Sequence, residues 1–245
     1  MSVPMTKCFE GKSALVTGGT RGIGKATACA LLSEGCDVWI SGQTQRMGWW
    51  DDYEKCTLIA SDFSSQTELS AFCEKIRDLD ISLLVNNAGL FTTGFIWEQD
   101  FEKWNTMMQV NLHSMMRITQ AILPQMRSRK SGRIVNLSSI ASTVCRPGLS
   151  AYATSKAAIL GLTRSMALDL ASDNIMVNAI CPAYTNTDML QALSSEQKNQ
   201  LLGKIPLGRF PQTSDVAEII CFLLSEKNTY LTGQAITIDG GASIT

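Results

Sequence analysis

The stretch SALVTGGTRGIG, residues 13–24, decides the fold of this chain. A short apolar run leads into a glycine-rich turn, and a pattern with helical period follows from about residue 23 to residue 34. Glycine in such a turn permits a positive φ and lets backbone N–H groups approach an anion at the start of the following helix. The stretch therefore predicts a strand, a phosphate-binding turn and a helix.

The alternation of apolar strands and helical patterns continues to the end of the chain. Strands are predicted at 13–18, 38–41, 57–61, 82–87, 133–139, 176–182 and 235–241, and helices near 23–34, 67–78, 101–128, 151–171 and 214–224. Because buried strands joined by helices form parallel sheets through right-handed crossovers, we predict an α/β fold, a single-domain, Rossmann-like, doubly wound parallel sheet with helices on both faces. The domain spans 1–245, and the long irregular stretch at about 183–213 is predicted to be a substrate lid.

Composition and charge limit the partners. The chain has 245 residues and a formal net charge of −1, which gives no reason to expect binding to nucleic acid or to an anionic membrane. The N-terminal segment has no apolar signal region, and no apolar run reaches membrane-spanning length. The eight cysteines are scattered, which is typical of free thiols in a reducing, cytoplasmic compartment. His113 is the single histidine and is interpreted as structural, so no metal site is predicted.

A second segment of small residues, NNAG at 86–89, follows the fourth predicted strand. Ligands of open α/β sheets bind at the carboxyl ends of the strands. Small residues there let a ligand lie against the backbone, although NNAG alone is also a common turn sequence. The segment therefore points to the same edge of the sheet as the glycine-rich turn.

Three polar side chains suggest proton chemistry at this edge. Ser139 ends the strand RIVNLSS, and Tyr152 and Lys156 follow on the next helix, four residues apart and so on one face. Their hydroxyl, phenol and ammonium groups can converge on one carbonyl oxygen, with Ser139 holding it and Tyr152 donating a proton. Lys156 would lower the pKa of the phenol from its ordinary value of about 10. An ordinary helix surface is the alternative for an isolated Tyr-x-x-x-Lys pattern.

Taken together, these segments resemble the short-chain dehydrogenases/reductases over essentially the whole chain. The matching motifs, in the family's order, are TGGTRGIG, Asp62, NNAG, Asn111 in QVNLHS, Ser139, YATSK and PAYTNTDM. The resemblance implies catalysis by Asn111, Ser139, Tyr152 and Lys156, with Asn111 helping to hold a water of the proton relay. The implied nicotinamide dinucleotide site consists of Gly18, Thr20, Arg21, Gly22, Ile23, Gly24, Gln43, Asp62, Phe63, Asn87, Ala88, Gly89, Tyr152, Lys156, Pro182, Thr185 and Thr187.

The end of the second strand favours NADP(H) as cofactor. Relatives that prefer NAD carry an acid there for the ribose 2′-hydroxyl, whereas this strand ends in Ser41, Gly42 and Gln43. Arg21 and Arg46 are candidates to meet a 2′-phosphate, because guanidinium groups suit phosphate. We therefore predict NADP(H), with NAD(H) as the alternative.

The segment 42–56 after this strand is too short and too broken by glycine to predict a helix. Its adjacent Trp49 and Trp50 are interpreted as one residue packed on the sheet and one at a surface or subunit contact. A ligand role is the less favoured interpretation.

The segment TDMLQALSSEQKNQLLGKIPLGRF most resembles the 3-oxoacyl-(acyl carrier protein) reductases. The implied reaction interconverts a carbonyl and a secondary alcohol on a small-molecule substrate, here a 3-oxoacyl thioester that is linked to a carrier protein. A basic cluster that would meet an acidic carrier consists of Arg127, Arg129, Lys130 and Arg133. Asp173 stands where a further basic group is expected, and this reversal of charge would weaken steering of the carrier.

Two alternatives stay open. A sugar, a polyol or another small secondary alcohol would suit the same machinery. A dinucleotide-binding sensor or scaffold would do no chemistry, but it would have no need of the phenol and ammonium pair. Because the family usually forms tetramers, a homotetramer is also expected.

Overall fold

A seven-stranded parallel sheet organises the protein. The computed structural model describes residues 7–43, 47–186, 190 and 194–244. The strands are β1 Ser13–Val16, β2 Asp37–Gly42, β3 Cys56–Ala60, β4 Leu83–Asn86, β5 Gly132–Leu137, β6 Ile175–Pro182 and β7 Ala235–Ile238. They lie in the order β3-β2-β1-β4-β5-β6-β7, and every neighbouring pair is parallel. The predicted doubly wound sheet is confirmed, and its strand order reverses between β1 and β4, where a ligand crevice is expected.

Helices cover both faces of the sheet. They are α1 Gly22–Ser33, α2 Gln66–Arg77, α3 Phe101–Met108, α4 Ser114–Arg129, α5 Ser150–Leu170, α6 Ser195–Leu202 and α7 Thr213–Leu224. One core packs α1 and α7 against the sheet and contains Leu31 and Ile220. The other packs α2, α4 and α5 on the opposite face and contains Phe72, Ile118 and Met166. Burial on two faces explains why the strands read as continuous apolar runs.

The helical pattern predicted at 101–128 is interrupted at its centre. A π-helical turn, Gln109–His113, separates α3 from α4. The side chain of Asn111 in this turn pairs with the backbone of Leu90, where Oδ1 accepts from the amide N–H at 2.7 Å and Nδ2 donates to the carbonyl at 3.0 Å. Wide turns of this kind inside helices are frequent at functional sites. Here the turn directs Asn111 towards the segment after β4.

The two tryptophans have different surroundings. Trp50 is 7% exposed and belongs to the core beside α1, which confirms that one tryptophan packs on the sheet. Trp49 is half-buried in the short 3-10 turn Trp49–Asp52, and its indole Nε1 donates to the carbonyl of Thr20 at 3.1 Å. Trp49 therefore supports the glycine-rich turn, a contact that the sequence pattern does not reveal.

The predicted lid is described in part. Thr187 and its neighbours at 188–189 and 191–193 lie outside the described residues. In the described part, α6 begins with a capping box in which Ser194 and Gln197 bind each other's backbone N–H groups. Closure of the lid over a substrate stays a prediction.

All eight cysteines are free. No helix among the described residues combines the length and apolar character of a membrane span.

Candidate active site

The glycine-rich turn after β1 is fastened to the segment after β4. The side-chain amide of Asn87 donates to the carbonyls of Thr17 at 2.9 Å and Gly18 at 3.0 Å. In return, the hydroxyl of Thr17 accepts from the backbone N–H groups of Asn87 and Ala88. Gly18 has a φ of 64°, which favours glycine. These bonds join the two predicted segments into one crevice, and Thr17 is a contributor that the sequence analysis missed.

The start of α1 is suited to a phosphate group. No side chain caps this helix, whereas Ser65 caps α2 and Asp100 caps α3. The first N–H groups of an uncapped helix lack partners within it and carry partial positive charge, so they favour an anionic ligand. A side chain at Gly24 would collide with the carbonyl of Gly18 and the amide of Asn87. The turn and helix therefore fit the phosphates of a dinucleotide.

The predicted adenosine-binding residues lie after β2 and β3. Gln43 is exposed at the end of β2, and its side chain contacts the half-buried Asp62. Hydrogen bonds from the backbone and hydroxyl of Ser64, followed by Gln43, hold the pKa of Asp62 below its ordinary value. The ring of Phe63 packs in the core on Phe72, with ring centres 5.0 Å apart. Phe63 can therefore offer only backbone atoms to a ligand.

Most other predicted cofactor residues follow the carboxyl ends of strands. The turn after β1 and the first residues of α1 contain Thr20, Arg21, Gly22 and Ile23. Gly89 follows β4. Pro182 ends β6, and the buried Thr185 donates its hydroxyl proton to the carbonyl of Ala183 at 3.2 Å. Arg46 and Thr187, which are also predicted contacts, are outside the described residues.

The structure brings Ser139 and Tyr152 together. Ser139 follows β5 and accepts from the backbone N–H of Ala141 at 3.1 Å, while its hydroxyl also hydrogen-bonds the phenol of Tyr152. The Tyr152 ring packs edge-to-face on Phe91, with ring centres 4.9 Å apart. Burial raises the pKa of Tyr152, the Ser139 hydrogen bond opposes this rise, and the nearby Tyr184 adds to it.

Lys156 is buried close to the ring of Tyr152. Its side chain is 5% exposed, donates to the carbonyl of Leu137 at 2.7 Å, and places Nζ 5.8 Å from the centre of the Tyr152 ring. Burial lowers the pKa of Lys156 from 10.5 to about 8. Burial has the larger effect on the Tyr152 pKa in this structure, and a lowering of that pKa by Lys156 stays a prediction. The phenol is therefore protonated at neutral pH.

Asn111 completes the group. Besides binding Leu90, its Nδ2 donates to the hydroxyl of Ser155 at 3.0 Å, and Ser155 in turn donates to the carbonyl of Tyr152 at 2.8 Å. A Cβ atom placed on Gly89 would lie 3.4 Å from Asn111 Oδ1 and 3.5 Å from Lys156 Nζ. The NNAG segment, the π-helical turn and α5 therefore converge at the carboxyl edge of the sheet.

Comparison with known proteins agrees with this arrangement. A family model described as enoyl-(acyl carrier protein) reductase matches residues 18–243. The chain belongs to the short-chain dehydrogenase/reductase family. It is 37% identical to 3-oxoacyl-(acyl carrier protein) reductase FabG of Staphylococcus aureus, over 94% of this chain and 97% of that protein.

Solved structures of this family include two similar proteins with bound NADP. One is described as a putative NAD(P)-dependent gluconate 5-dehydrogenase of Beutenbergia cavernae, with a TM-score of 0.91, 29% identity and coverage of 98% of this chain and 100% of that one. The other is a gluconate 5-dehydrogenase of Burkholderia cenocepacia in complex with NADP and tartrate. Its TM-score is 0.90 and its identity 26%, with coverage of 98% of each chain.

Two side chains that the sequence analysis missed lie beside the site. Nη1 of Arg146 donates to the hydroxyl of Tyr184 at 3.0 Å, and the guanidinium carbon lies 5.2 Å from the centre of the Tyr184 ring. Arg146 is in the segment between Ser139 and α5, and Tyr184 follows β6. Their positions in separate irregular segments leave no periodic signal in the sequence.

The basic cluster is not an open patch near the site. Arg127 is ion-paired with Asp173 at 2.6 Å, and Arg129 is ion-paired with Asp80. Arg133 is half-buried and donates to backbone carbonyls, and neither Arg133 nor Lys130 has an ion pair in the described part of the chain. The cluster lies at the amino end of β5, about 17 Å of strand away from the carboxyl edge. Asp173, where a basic group was expected, neutralises this surface.

Replacing Lys156 by methionine should stabilise the fold. The shift of the Lys156 pKa from 10.5 to about 8 means that burying the ammonium costs about 3 kcal/mol, since one pKa unit corresponds to about 1.4 kcal/mol. At pH 7 and below the group is mostly charged in both the folded and the unfolded chain, so most of this cost is present. Between pH 8 and pH 10.5 the folded protein loses the proton first, so the wild-type free energy of unfolding rises.

Urea denaturation at neutral and alkaline pH measures this effect. Lys156→Met should raise the free energy of unfolding at neutral pH by about 1–3 kcal/mol and remove most of the alkaline rise. The exposed Lys75 on α2 provides the control Lys75→Met, which should change neither quantity. A destabilised Lys156→Met protein with the wild-type pH dependence would contradict the assignment.

Proposed function

We propose that this protein is an NADPH-dependent reductase that converts the ketone of a 3-oxoacyl compound into a secondary alcohol. The observation that carries the proposal is the convergence of Ser139, Tyr152, Lys156 and Asn111 beside the glycine-rich turn. The relative at 37% identity, which is named for 3-oxoacyl reduction, supports the substrate class. A dinucleotide sensor would have no use for a buried ammonium beside a phenol.

Each residue of this group has a separate role in the proposed reaction. Ser139 donates a hydrogen bond to the ketone oxygen, and Tyr152 transfers its phenolic proton to that oxygen. A bound nicotinamide dinucleotide supplies the hydride. The ammonium of Lys156 then stabilises the phenolate that Tyr152 becomes. Asn111 holds the backbone of Leu90 and the hydroxyl of Ser155, and it helps to hold a water through which the proton of Tyr152 is restored.

NADPH is the proposed cofactor because the end of β2 carries no acid and the start of α1 is basic. Gln43 occupies the position after β2, while Arg21 and Lys25 lie at the first turn of α1. The ammonium of Lys25 sits 5.8 Å from the centre of the Trp49 ring, and Trp49 binds the carbonyl of Thr20. We propose that these groups receive the 2′-phosphate of NADPH.

The substrate can reach the site in two forms. The curated relatives are named for a 3-oxoacyl group on an acyl carrier protein, and this form remains the first to test. A free oxo acid or sugar acid is the second candidate, because Arg127 and Arg129 are neutralised and Arg146 lies beside the site. The gluconate 5-dehydrogenase that binds NADP and tartrate supports this second candidate.

We further propose a homotetramer in the cytoplasm, with the segment 183–213 closing over the substrate. The tetramer is carried over from the family to which the chain belongs, whose members usually form tetramers. The compartment is supported by the free state of all eight cysteines.

The role of Tyr152 is tested by its phenylalanine variant. Tyr152→Phe should lower kcat for NADPH-dependent reduction of an acetoacetyl thioester, or of a small neutral ketone, by about a thousandfold, because proton transfer by a positioned group contributes about 10²–10⁴-fold. NADPH affinity, measured by fluorescence titration, should stay close to that of the wild type. Tyr230→Phe, at a 94% exposed position, is the matched control and should keep full activity. A Tyr152→Phe protein with wild-type turnover would refute the proposed reaction.

The cofactor preference is tested at Gln43. Gln43→Asp should reduce kcat/KM with NADPH by about tenfold or more, because the new carboxylate repels the 2′-phosphate, and should preserve or raise kcat/KM with NADH. Gln43→Asn adds no charge and should keep the preference for NADPH. Equal changes in both variants, or a wild-type protein that uses NADH as well as NADPH, would contradict the assignment.

A further inference from the structure

Arg146 and Tyr184 form a fixed cationic pair next to the proton donor. Their segments start from the carboxyl ends of β5 and β6, which are adjacent strands of the sheet. One hydrogen bond and one face contact with Tyr184 hold the guanidinium. Tyr184 is also near enough to Tyr152 to contribute to the raised pKa of that phenol. Tyr184, the residue that holds Arg146, is therefore within electrostatic reach of the reacting group.

The charge of Arg146 has no counter-ion in the described part of the chain. By comparison, Arg127 is ion-paired with Asp173 and Arg209 is ion-paired with Asp215. Arg146 instead meets the neutral hydroxyl of Tyr184. It also borders an open groove of about 530 Å³, where it is the one charged residue among the described residues of the lining. A half-buried cation in apolar surroundings favours an anionic ligand.

The geometry of the pair suits a carboxylate. A guanidinium has five N–H donors in a planar fork, and Tyr184 uses one of them. The remaining donors can bind a planar carboxylate through two parallel hydrogen bonds. Because Tyr184 already fixes the guanidinium, little side-chain freedom is lost when a ligand binds.

We propose that Arg146, positioned by Tyr184, determines substrate specificity by binding a free carboxylate on the molecule whose ketone is reduced. This inference rests on the proposed function and narrows its substrate class to oxo acids. A 3-oxo acid or a keto sugar acid carries both groups within one small molecule. A thioester lacks the carboxylate and forms only neutral-acceptor hydrogen bonds with Arg146.

The test uses two substrates that share a ketone and differ in charge. Acetoacetate is the anion and ethyl acetoacetate is the neutral ester, and both are assayed with NADPH. Arg146→Gln should lower kcat/KM for acetoacetate by about 10–100-fold, mostly through KM, because hydrogen bonds to charged groups contribute about 1.5–3 kcal/mol. The ester should change by less than about threefold, since it presents no charge. Wild-type protein should prefer acetoacetate over the ester and over the acetoacetyl thioester of N-acetylcysteamine.

Three further variants separate recognition from structural damage. Arg164→Gln removes the same charge at an exposed position of α5 and should leave both substrates unchanged. Arg146→Lys keeps the charge but loses the planar fork, so its loss with acetoacetate should be intermediate. Tyr184→Phe should reduce activity with acetoacetate, and by less than Arg146→Gln does.

The outcomes distinguish this inference from the proposed function. Reduction of the ester by the wild type, with equal losses for ester and acetoacetate in Arg146→Gln, would keep the proposed function and overturn the role of Arg146. A wild-type preference for the thioester over acetoacetate would also overturn it. Failure of the wild type to reduce any of the three ketones would overturn the proposed function and this inference together.

Discussion

The buried ammonium of Lys156 is the constraint on which the site depends. It is held by the carbonyl of Leu137 at the end of β5, while the hydroxyl of Ser138 donates to the carbonyl of Lys156 at 2.8 Å. These two bonds fix α5 against the end of β5. As a result, Tyr152, which lies one helical turn before Lys156 on α5, is placed beside Ser139. Burial of a charge destabilises the fold, so the two cores on either face of the sheet must offset that cost.

Periodicity and short-range spacing in the sequence predict the sheet and the centre of the site. Seven apolar strands, the glycine-rich turn and the shared face of Tyr152 and Lys156 are all local patterns, and the structure bears out their arrangement. The π-helical turn at Asn111 was not predictable, because it depends on a bond to Leu90 from a distant segment. The effect of burial on the Tyr152 pKa was not predictable for a related reason, since burial depends on the whole fold. Arg146 and Tyr184 meet only through tertiary structure.

Charges at the two ends of β5 differ in a way that bears on the substrate. At the amino end, Asp173 and Asp80 neutralise Arg127 and Arg129, which reduces the positive field that would attract an acidic carrier protein. At the carboxyl end, Arg146 is held by a neutral phenol beside the proton donor. The same catalytic residues would thus act on a small oxo acid rather than on an acyl chain bound to a carrier protein. Fold and reaction are shared within the family, whereas the substrate is decided by such side chains.

The most direct test of this account is an NMR titration of Lys156. Protein labelled with carbon-13 at the lysine side-chain methylene next to Nζ would be titrated through the alkaline range, and the Lys156→Met variant would assign the signal. Burial of the ammonium predicts a midpoint near the lowered pKa of about 8 for Lys156. A midpoint at the ordinary lysine value of 10.5 would show that the ammonium is solvated, and would contradict the claim that its burial organises the site.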